Sequence, residues 1–177
     1  MIDMILAGFG GQGVMSMGQL VAYSGMIEGK EVSWMPSYGP EMRGGTANCT
    51  VVVSEDPIGS PVVVEPQVVV AMNLPSLDKF ESMVKPGGVL IINSSLINRT
   101  SERDDITVIE VPANEIANEL GNARVANMVV LGTVIGQTNV VTKESVIESL
   151  KKVLPEHRHN LIPMNESAID KGAAYAK

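Results

Sequence analysis

A glycine-rich segment placed directly after the first apolar run constrains the fold of this chain most strongly. Residues 1–7 form a short apolar run that fits a buried strand, and residues 15–27 carry many apolar side chains and no proline, which fits a helix. Between them lies the segment Gly8-Phe9-Gly10-Gly11-Gln12-Gly13. The order strand, glycine loop, helix predicts that backbone N–H groups at the start of the helix face an anion or the polar atoms of a partner.

Short apolar runs alternate with helical segments along the rest of the chain. The patterns predict further strands over residues 31–35, 46–54, 68–72, 89–92 and 106–111, and helices over 76–84, 112–120, 123–137, 142–154 and 165–175. Ser76 and Thr142 are the expected helix caps. We therefore expect an α/β fold, a Rossmann-like three-layer sandwich with a mostly parallel sheet and helices on both faces, formed as a single domain by residues 1–177. The link between the second and third strands is too loop-like for a helical crossover, so that pair can be antiparallel or offset.

Composition excludes several classes of function. The formal net charge is −7 and no Lys/Arg run occurs, which argues against a nucleic-acid partner. No apolar stretch is long enough for a membrane span, and the N-terminus lacks a basic, signal-like segment, so we expect a cytoplasmic protein. One Cys and two His cannot supply the ligands of an iron–sulfur cluster or a structural zinc, so no metal is expected on this chain.

The first glycine segment fits the pattern G-x-G-x-x-G of dinucleotide-binding loops. Such a site also needs an acidic residue at the end of the second strand to hold the ribose, and that position here reads Ser33-Trp34-Met35-Pro36. Glu28 and Glu31 lie at the other end of this strand. Binding of NAD or FAD is therefore disfavoured. A tight turn explains Gly8 and Gly13, whereas residues 10–12 favour close approach of a group outside the chain.

A second glycine-rich segment, Tyr38-Gly39-Pro40-Glu41-Met42-Arg43-Gly44-Gly45, follows the second strand. It is either a wide connection or a functional surface, and Arg43 beside two glycines is a planar donor with room for a carboxylate or phosphate. Both loops would meet in one crevice if their strands end at the same edge of the sheet. Phe9, Trp34 and Tyr38, half of the six aromatic residues, lie in or beside the two segments, which favours a contact surface. The predicted interface or anion-binding residues are Gly8, Gly10, Gly11, Gln12, Gly13, Tyr38, Gly39, Glu41, Arg43, Gly44 and Gly45.

No set of residues resembles a catalytic centre. Ser16 has no base nearby in the sequence, and the lone Cys49 is expected to pack as a small apolar residue. Asn127 is expected to be a satisfied buried amide, and His157 and His159 to be solvated. We predict that the isolated chain has no catalytic residues.

Several motifs in fixed order resemble one protein family over nearly the whole chain. They are Gly8-x-Gly10-Gly11-Gln12-Gly13-Val14, Pro36-x-Tyr38-Gly39-Pro40-Glu41-x-Arg43-Gly44-Gly45, Pro57-Ile58, Pro61, Pro86-Gly87-Gly88, Ala126-Asn127-Met128, Leu131-Gly132, and Asn165-x-x-Ala168 with Gly172. Their order and spacing are similar to those of the gamma subunit of 2-oxoacid:ferredoxin (acceptor) oxidoreductases. The Tyr38–Gly45 version is closer to the 2-oxoglutarate or branched-chain 2-oxoacid type than to the pyruvate or indolepyruvate types.

The resemblance implies a gamma subunit that assembles with alpha and beta subunits, and in some complexes with a ferredoxin-like delta subunit. The complex oxidatively decarboxylates a 2-oxoacid, expected here to be 2-oxoglutarate, to an acyl-CoA and passes electrons to ferredoxin or another acceptor. Thiamine diphosphate and the iron–sulfur clusters are held by the partner subunits, and this chain alone binds no cofactor. The two loops would contact either the partner subunits or CoA. The alternative is a stand-alone nucleotide-binding oxidoreductase or regulatory module that uses the glycine loop.

Overall fold

The structure, a computed structural model, describes residues 1–37 and 46–177 of the chain. Its strands are β1 (Ile2–Phe9), β2 (Glu31–Ser37), β3 (Thr46–Ser54), β4 (Val68–Ala71), β5 (Val89–Asn93) and β6 (Thr107–Val111). Its helices are α1 (Val14–Ile27), α2 (Leu74–Phe80), α3 (Ala113–Glu119), α4 (Ala126–Thr138), α5 (Lys143–Val153) and α6 (Ile162–Ala173). Short 3₁₀ turns over Glu81–Met83, Ala123–Val125 and Glu156–Leu161 follow α2, precede α4 and precede α6.

The six strands form one sheet in the order β2-β3-β1-β4-β5-β6. Strands β1, β4, β5 and β6 are parallel, and β3 runs antiparallel to both of its neighbours, β1 and β2. The chain between Ser37 and Thr46 is shorter than the dozen or so residues that a parallel crossover needs, so β3 must reverse. The expected mostly parallel sheet and the antiparallel pair are both confirmed.

Helices cover both faces of the sheet, which confirms the three-layer α/β sandwich. Because successive strand residues point to opposite faces, β1 contributes Met4 and Leu6 to one apolar cluster and Ile5 and Ala7 to the other. The larger cluster includes buried residues of α1, α4, α5 and α6, and the smaller one is closed mainly by α2. All four residues of β4 are buried, as expected for a strand covered on both faces.

Several boundaries differ from the sequence-based prediction. Helix α2 begins at Leu74, and its cap is Asn73, whose Oδ1 accepts a hydrogen bond from the Ser76 N–H at 2.9 Å, so Ser76 as a cap was wrong. Strand β1 continues to Phe9 because Gly8 and Phe9 still pair with β3. Helix α6 begins at Ile162 instead of residue 165. The cap at Thr142 is confirmed, since its hydroxyl accepts from the Ser145 N–H at 3.2 Å.

Trp34 belongs to the core more than to a contact surface. Its indole lies so close to α1 that a Cβ at Gly18 would be 2.9 Å from the indole nitrogen and 2.5 Å from Cys49 Sγ. Cys49 is fully buried, as predicted, and burial raises the pKa of its thiol to about 11. A thiol with this pKa stays protonated at neutral pH and is a poor nucleophile.

Candidate functional site

The first glycine segment forms a tight turn between β1 and α1 at the carboxyl end of β1. The Gln12 N–H donates to the Phe9 carbonyl at 3.1 Å, and Gly11 and Gly13 have φ angles of +93° and +77°. These angles lie in the left-handed region that residues with a Cβ rarely adopt. Gly10 and Gly11 are exposed, and a Cβ added to Gly11 would meet no atom within 4 Å. The exposed part of the turn is therefore open to a group from outside the chain.

Gln12 ties this turn to the neighbouring strand. Its Oε1 accepts from the Phe9 N–H at 2.6 Å, and its Nε2 donates to the Met72 carbonyl, which follows β4, at 3.3 Å. Gly8 is buried beneath this clamp, and a Cβ there would lie 2.6 Å from Gln12 Oε1 and 2.8 Å from Met72 Cβ. Both residues, predicted as contact residues, thus also have internal packing roles.

Asn127 packs against the other side of the turn. It lies in the first turn of α4, and its Nδ2 donates to the Gly13 carbonyl at 3.4 Å. A Cβ at Gly13 would overlap the Asn127 amide. The prediction of a satisfied amide is correct for this donor, but Asn127 is half-buried instead of buried, and it borders the glycine loop.

Buried polar groups collect beside the glycine loop, where β4 and β5 end. Asn93 Nδ2 donates to Asn114 Oδ1 at 2.8 Å and to the Met72 carbonyl at 3.4 Å. Within the described residues, Asn93 Oδ1, Asn73 Nδ2 and Ser76 Oγ are buried and have no hydrogen-bond partner. Buried polar atoms are rarely left unpaired, so this end of the sheet has unused hydrogen-bonding capacity. This cluster was not predicted from the sequence, although an Asn follows each of the two apolar runs that form these strands.

A small cavity of about 110 Å³ lies between the glycine loop, the end of β4, α3 and the start of α4. Its lining includes Gly11, Gln12, Met72, Asn114, Arg124 and Asn127. Typical pockets for complete organic ligands hold roughly 300 Å³ or more, so this volume suits a polar group or an inserted side chain and not a whole dinucleotide.

The strand order adds a second argument against a dinucleotide. Strand β3 lies between β1 and β2, so the end of β2 is two strand spacings, about 10 Å, from the end of β1. Glu31 pairs with Ser54 at the opposite end of β2. No acidic residue of the described chain occupies the position that would hold the ribose.

The second glycine segment, with the predicted residues Tyr38, Gly39, Glu41, Arg43, Gly44 and Gly45, lies outside the described residues. Its flanks are described. Thr46 pairs with Phe9, and Ser37 pairs with Asn48. The segment therefore leaves and re-enters the sheet at the edge that carries the first glycine loop, which is the edge that the sequence predicted.

The described residues contain neither a metal site nor a membrane-spanning helix. In residues 1–37 and 46–177, no three His, Cys, Asp or Glu side chains come together as a metal site. No helix in these ranges is long and apolar enough to cross a bilayer. His159 is partly buried, with its Nε2 2.8 Å from the Leu154 carbonyl, whereas the prediction had it solvated.

Comparisons with known proteins bear on the whole chain. Residues 3–175 match the model of the family described as pyruvate ferredoxin/flavodoxin oxidoreductase. The ketoisovalerate oxidoreductase subunit VorA of Methanothermobacter thermautotrophicus is 42% identical over 97% of this chain, and the chain spans only 36% of that relative. The 2-oxoglutarate synthase subunit KorC of Methanocaldococcus jannaschii is 34% identical over 97% of this chain and 92% of its own length.

Solved structures of two oxidoreductases superpose on almost the whole chain. The gamma subunit of a keto/oxoacid ferredoxin oxidoreductase from Geobacter sulfurreducens superposes with a TM-score of 0.84 at 28% identity, over 99% of this chain and 98% of that one. The 2-oxoglutarate:ferredoxin oxidoreductase of Magnetococcus marinus, solved with 2-oxoglutarate, coenzyme A and succinyl-CoA bound, gives a TM-score of 0.90 at 24% identity. This match covers 99% of the present chain and 31% of that chain, and a likeness at this identity concerns the fold alone. The chain belongs to the pyruvate ferredoxin/flavodoxin oxidoreductase family, and over its whole length it resembles the gamma subunit of these enzymes.

Proposed function

We propose that this chain is the gamma subunit of a thiamine-diphosphate-dependent 2-oxoacid:ferredoxin (acceptor) oxidoreductase complex. The observation that carries the proposal is the near-complete overlap with the KorC subunit and with the Geobacter gamma subunit, in which both partners of each comparison are covered almost from end to end. The complex would convert a 2-oxoacid and CoA to an acyl-CoA, with thiamine diphosphate and iron–sulfur clusters held by alpha and beta subunits and, in some complexes, by a ferredoxin-like delta subunit. The gamma chain would act in assembly and CoA binding.

The substrate is 2-oxoglutarate or a branched-chain 2-oxoacid. Relatives named for both substrates match this chain, at 34% identity for the 2-oxoglutarate synthase subunit and 42% for the ketoisovalerate subunit. The second glycine segment resembles both types. The assay of the assembled complex should therefore compare 2-oxoglutarate, 3-methyl-2-oxobutanoate and pyruvate at equal concentration.

We assign the contact with partner subunits or CoA to the edge that carries the glycine loop. The exposed Gly10 and Gly11, the unpaired polar atoms of Asn73 and Asn93, and the flanks of the second glycine segment all lie at this edge. Such an edge, at the carboxyl ends of parallel strands, is where α/β proteins usually bind ligands.

The experiment compares the chain alone with the chain co-purified with its partner subunits. The isolated chain should not reduce a low-potential dye with any 2-oxoacid and CoA, whereas the complex should. Turnover by the highly purified isolated chain would contradict the accessory role. A complex that forms but reduces no dye with any of the three 2-oxoacids would contradict the assignment of function.

Two matched glycine variants test the assigned edge. Gly11→Val should disturb close approach at the loop and weaken assembly or raise the KM for CoA. Gly87→Val is the control, because Gly87 also has a positive φ of +80° and open space around it, yet it precedes β5 at the opposite edge of the sheet. Both variants carry similar backbone strain. Equal effects of the two on assembly and on CoA kinetics would remove the glycine loop from the contact surface.

Arg43 provides a charge test of the same surface. If its guanidinium pairs with a buried carboxylate of a partner or with a phosphate of CoA, Arg43→Ala should cost about 2 to 5 kcal/mol in binding. Arg43→Lys should restore part of this energy, since it keeps the charge and loses the planar donor pair. Unchanged assembly and CoA kinetics in Arg43→Ala would contradict this role.

A further inference from the structure

The proposed function assigns no role to a groove on the face of the molecule that α1, α4, α5 and α6 cover. It lies between α1, the start of α4, α5 and the 3₁₀ turn before α6, and it encloses about 370 Å³. Its lining surface is mainly apolar and includes Leu20, Val125, Met128, Leu150 and Leu154. This volume and lining are typical of a site for a small organic ligand.

Two arginines line this groove. Arg124 lies in the 3₁₀ turn before α4, and Arg158 lies in the turn before α6. Both residues line the groove and are exposed, so they lie at its solvent side. Two elements far apart in the sequence therefore bring positive charge to one apolar cavity.

The charge of these two arginines is not neutralised within the described chain. Arg99 pairs with Asp78 at 2.6 Å and Glu81 at 2.9 Å, and Arg103 pairs with Asp105. Among the described residues, Arg124 and Arg158 have no carboxylate within 4 Å, although the chain has 20 acidic and only 13 basic residues. Two unpaired arginines that line the same groove of an acidic chain form a site for an anion that does not belong to the chain.

We propose that this groove binds an amphiphilic organic anion, an aliphatic chain with a single carboxylate or phosphate head. The apolar lining would take the aliphatic chain, because burial of apolar surface is favourable and this lining offers few polar partners. The two guanidinium groups would bind the head, since their paired N–H donors match carboxylate and phosphate oxygens. A short dicarboxylate fits less well, as its second charge would have to lie on the apolar lining.

The groove and the glycine-loop cavity share one wall. Arg124 and Asn127 line both. A ligand in the groove would therefore contact the start of α4, whose Asn127 donates to the Gly13 carbonyl. The two cavities are nevertheless chemically different, since the groove is mainly apolar and the loop cavity is bordered by amides.

The test is calorimetric titration of the full chain with four probes: octanoate, octyl phosphate, octanol and succinate. We expect saturable binding of octanoate or octyl phosphate, at least about tenfold weaker binding of octanol, and none of succinate. The two charged probes distinguish a carboxylate site from a phosphate site. Added salt should weaken binding of the charged probes, because the head is held by exposed charges.

Variants separate the two halves of the site. Arg158→Gln should weaken binding of the charged probes about tenfold, and Arg158→Lys should recover part of this loss. Ser16→Trp should block binding by filling the groove from an exposed position on α1, and Arg99→Gln, which alters an arginine already paired elsewhere, should bind as the wild type does. Circular dichroism should show that each variant is folded. The proposal is overturned if neither charged probe saturates, if octanol binds as tightly as octanoate and octyl phosphate, or if Arg158→Gln and Ser16→Trp leave binding unchanged.

Discussion

Glycines serve opposite purposes in the packing of α4 on α6 and in the glycine loop. In the helix pair, a Cβ at Gly132 would overlap the Ile169 carbonyl, and a Cβ at Gly172 would overlap the Val129 carbonyl. At Gly11 a Cβ would meet no heavy atom within 4 Å. The first pair of glycines lets two backbones touch, whereas Gly11 provides a backbone angle and leaves space open. The atoms that face the missing Cβ therefore show which glycines of this chain are needed for packing and which are accessible.

The largest loss of stability is expected from a substitution between α4 and α6. Gly172→Ala should lower the free energy of unfolding by about 3 kcal/mol, because the clashing atom is backbone and cannot rotate away. Thr133 Oγ1, which donates to the Gly172 carbonyl at 2.8 Å, holds the same contact in place. Urea denaturation measures the difference.

The matched control for this variant is Gly59→Ala. Gly59 has no atom within 4 Å of its missing Cβ and no positive φ. Its replacement should change stability by less than about 0.5 kcal/mol. Similar stabilities of the two variants would show that α4 and α6 are not in backbone contact.

The hydrogen bonds of Glu28 should make a contribution to stability that is intermediate in size and depends on pH. Glu28 accepts from the Thr142 N–H at 2.6 Å and pairs with Lys30 at 2.8 Å. Burial alone would raise the pKa of this carboxyl, but the hydrogen bonds from Lys30, Thr142 and Ser145 outweigh it and lower the pKa from 4.5 to about 2. The ionised Glu28 thus stabilises the fold above pH 4.5, and this contribution is lost as pH falls toward 2.

Glu28→Gln should therefore cost about 1 to 3 kcal/mol at neutral pH, and its stability should converge on that of the wild type as the pH is lowered. Denaturation curves at a series of pH values measure this. Glu55→Gln is the control, since Glu55 is 3.8 Å from the same Lys30 but its side chain is 77% exposed. A loss from Glu28→Gln that is constant with pH would assign the effect to packing instead of charge.

The smallest effect on stability is expected in the glycine loop. Gly11→Ala should cost about 1 kcal/mol through its φ of +93°, with no added clash. Gly87→Ala, with a φ of +80° and equally open surroundings, should cost a similar amount. A much larger loss in Gly11→Ala would mean that the loop is packed like the helix pair and is not an open contact surface.

Local patterns were enough to predict most elements but not all of their ends. The apolar run of β4 and the cap at Thr142 are short-range features, and both predictions are confirmed. The start of α2 was missed because Asn73 and Ser76 are both good caps, and only the tertiary position of the chain after β4 decided between them. The contact residues of both glycine segments stay a prediction, and those of the second segment lie outside the described residues.

The sequence by itself determined the order of strand, glycine loop and helix, the α/β class, and the resemblance to the gamma subunit, because periodicity, glycine placement and motif spacing are local properties. Only the tertiary structure decided that β3 lies between β1 and β2, that Asn73 and Asn93 gather beside the glycine loop, and that Arg124 and Arg158 line one mainly apolar groove. These juxtapositions join residues distant in the chain. They follow from how both faces of the sheet are buried, which no local pattern encodes.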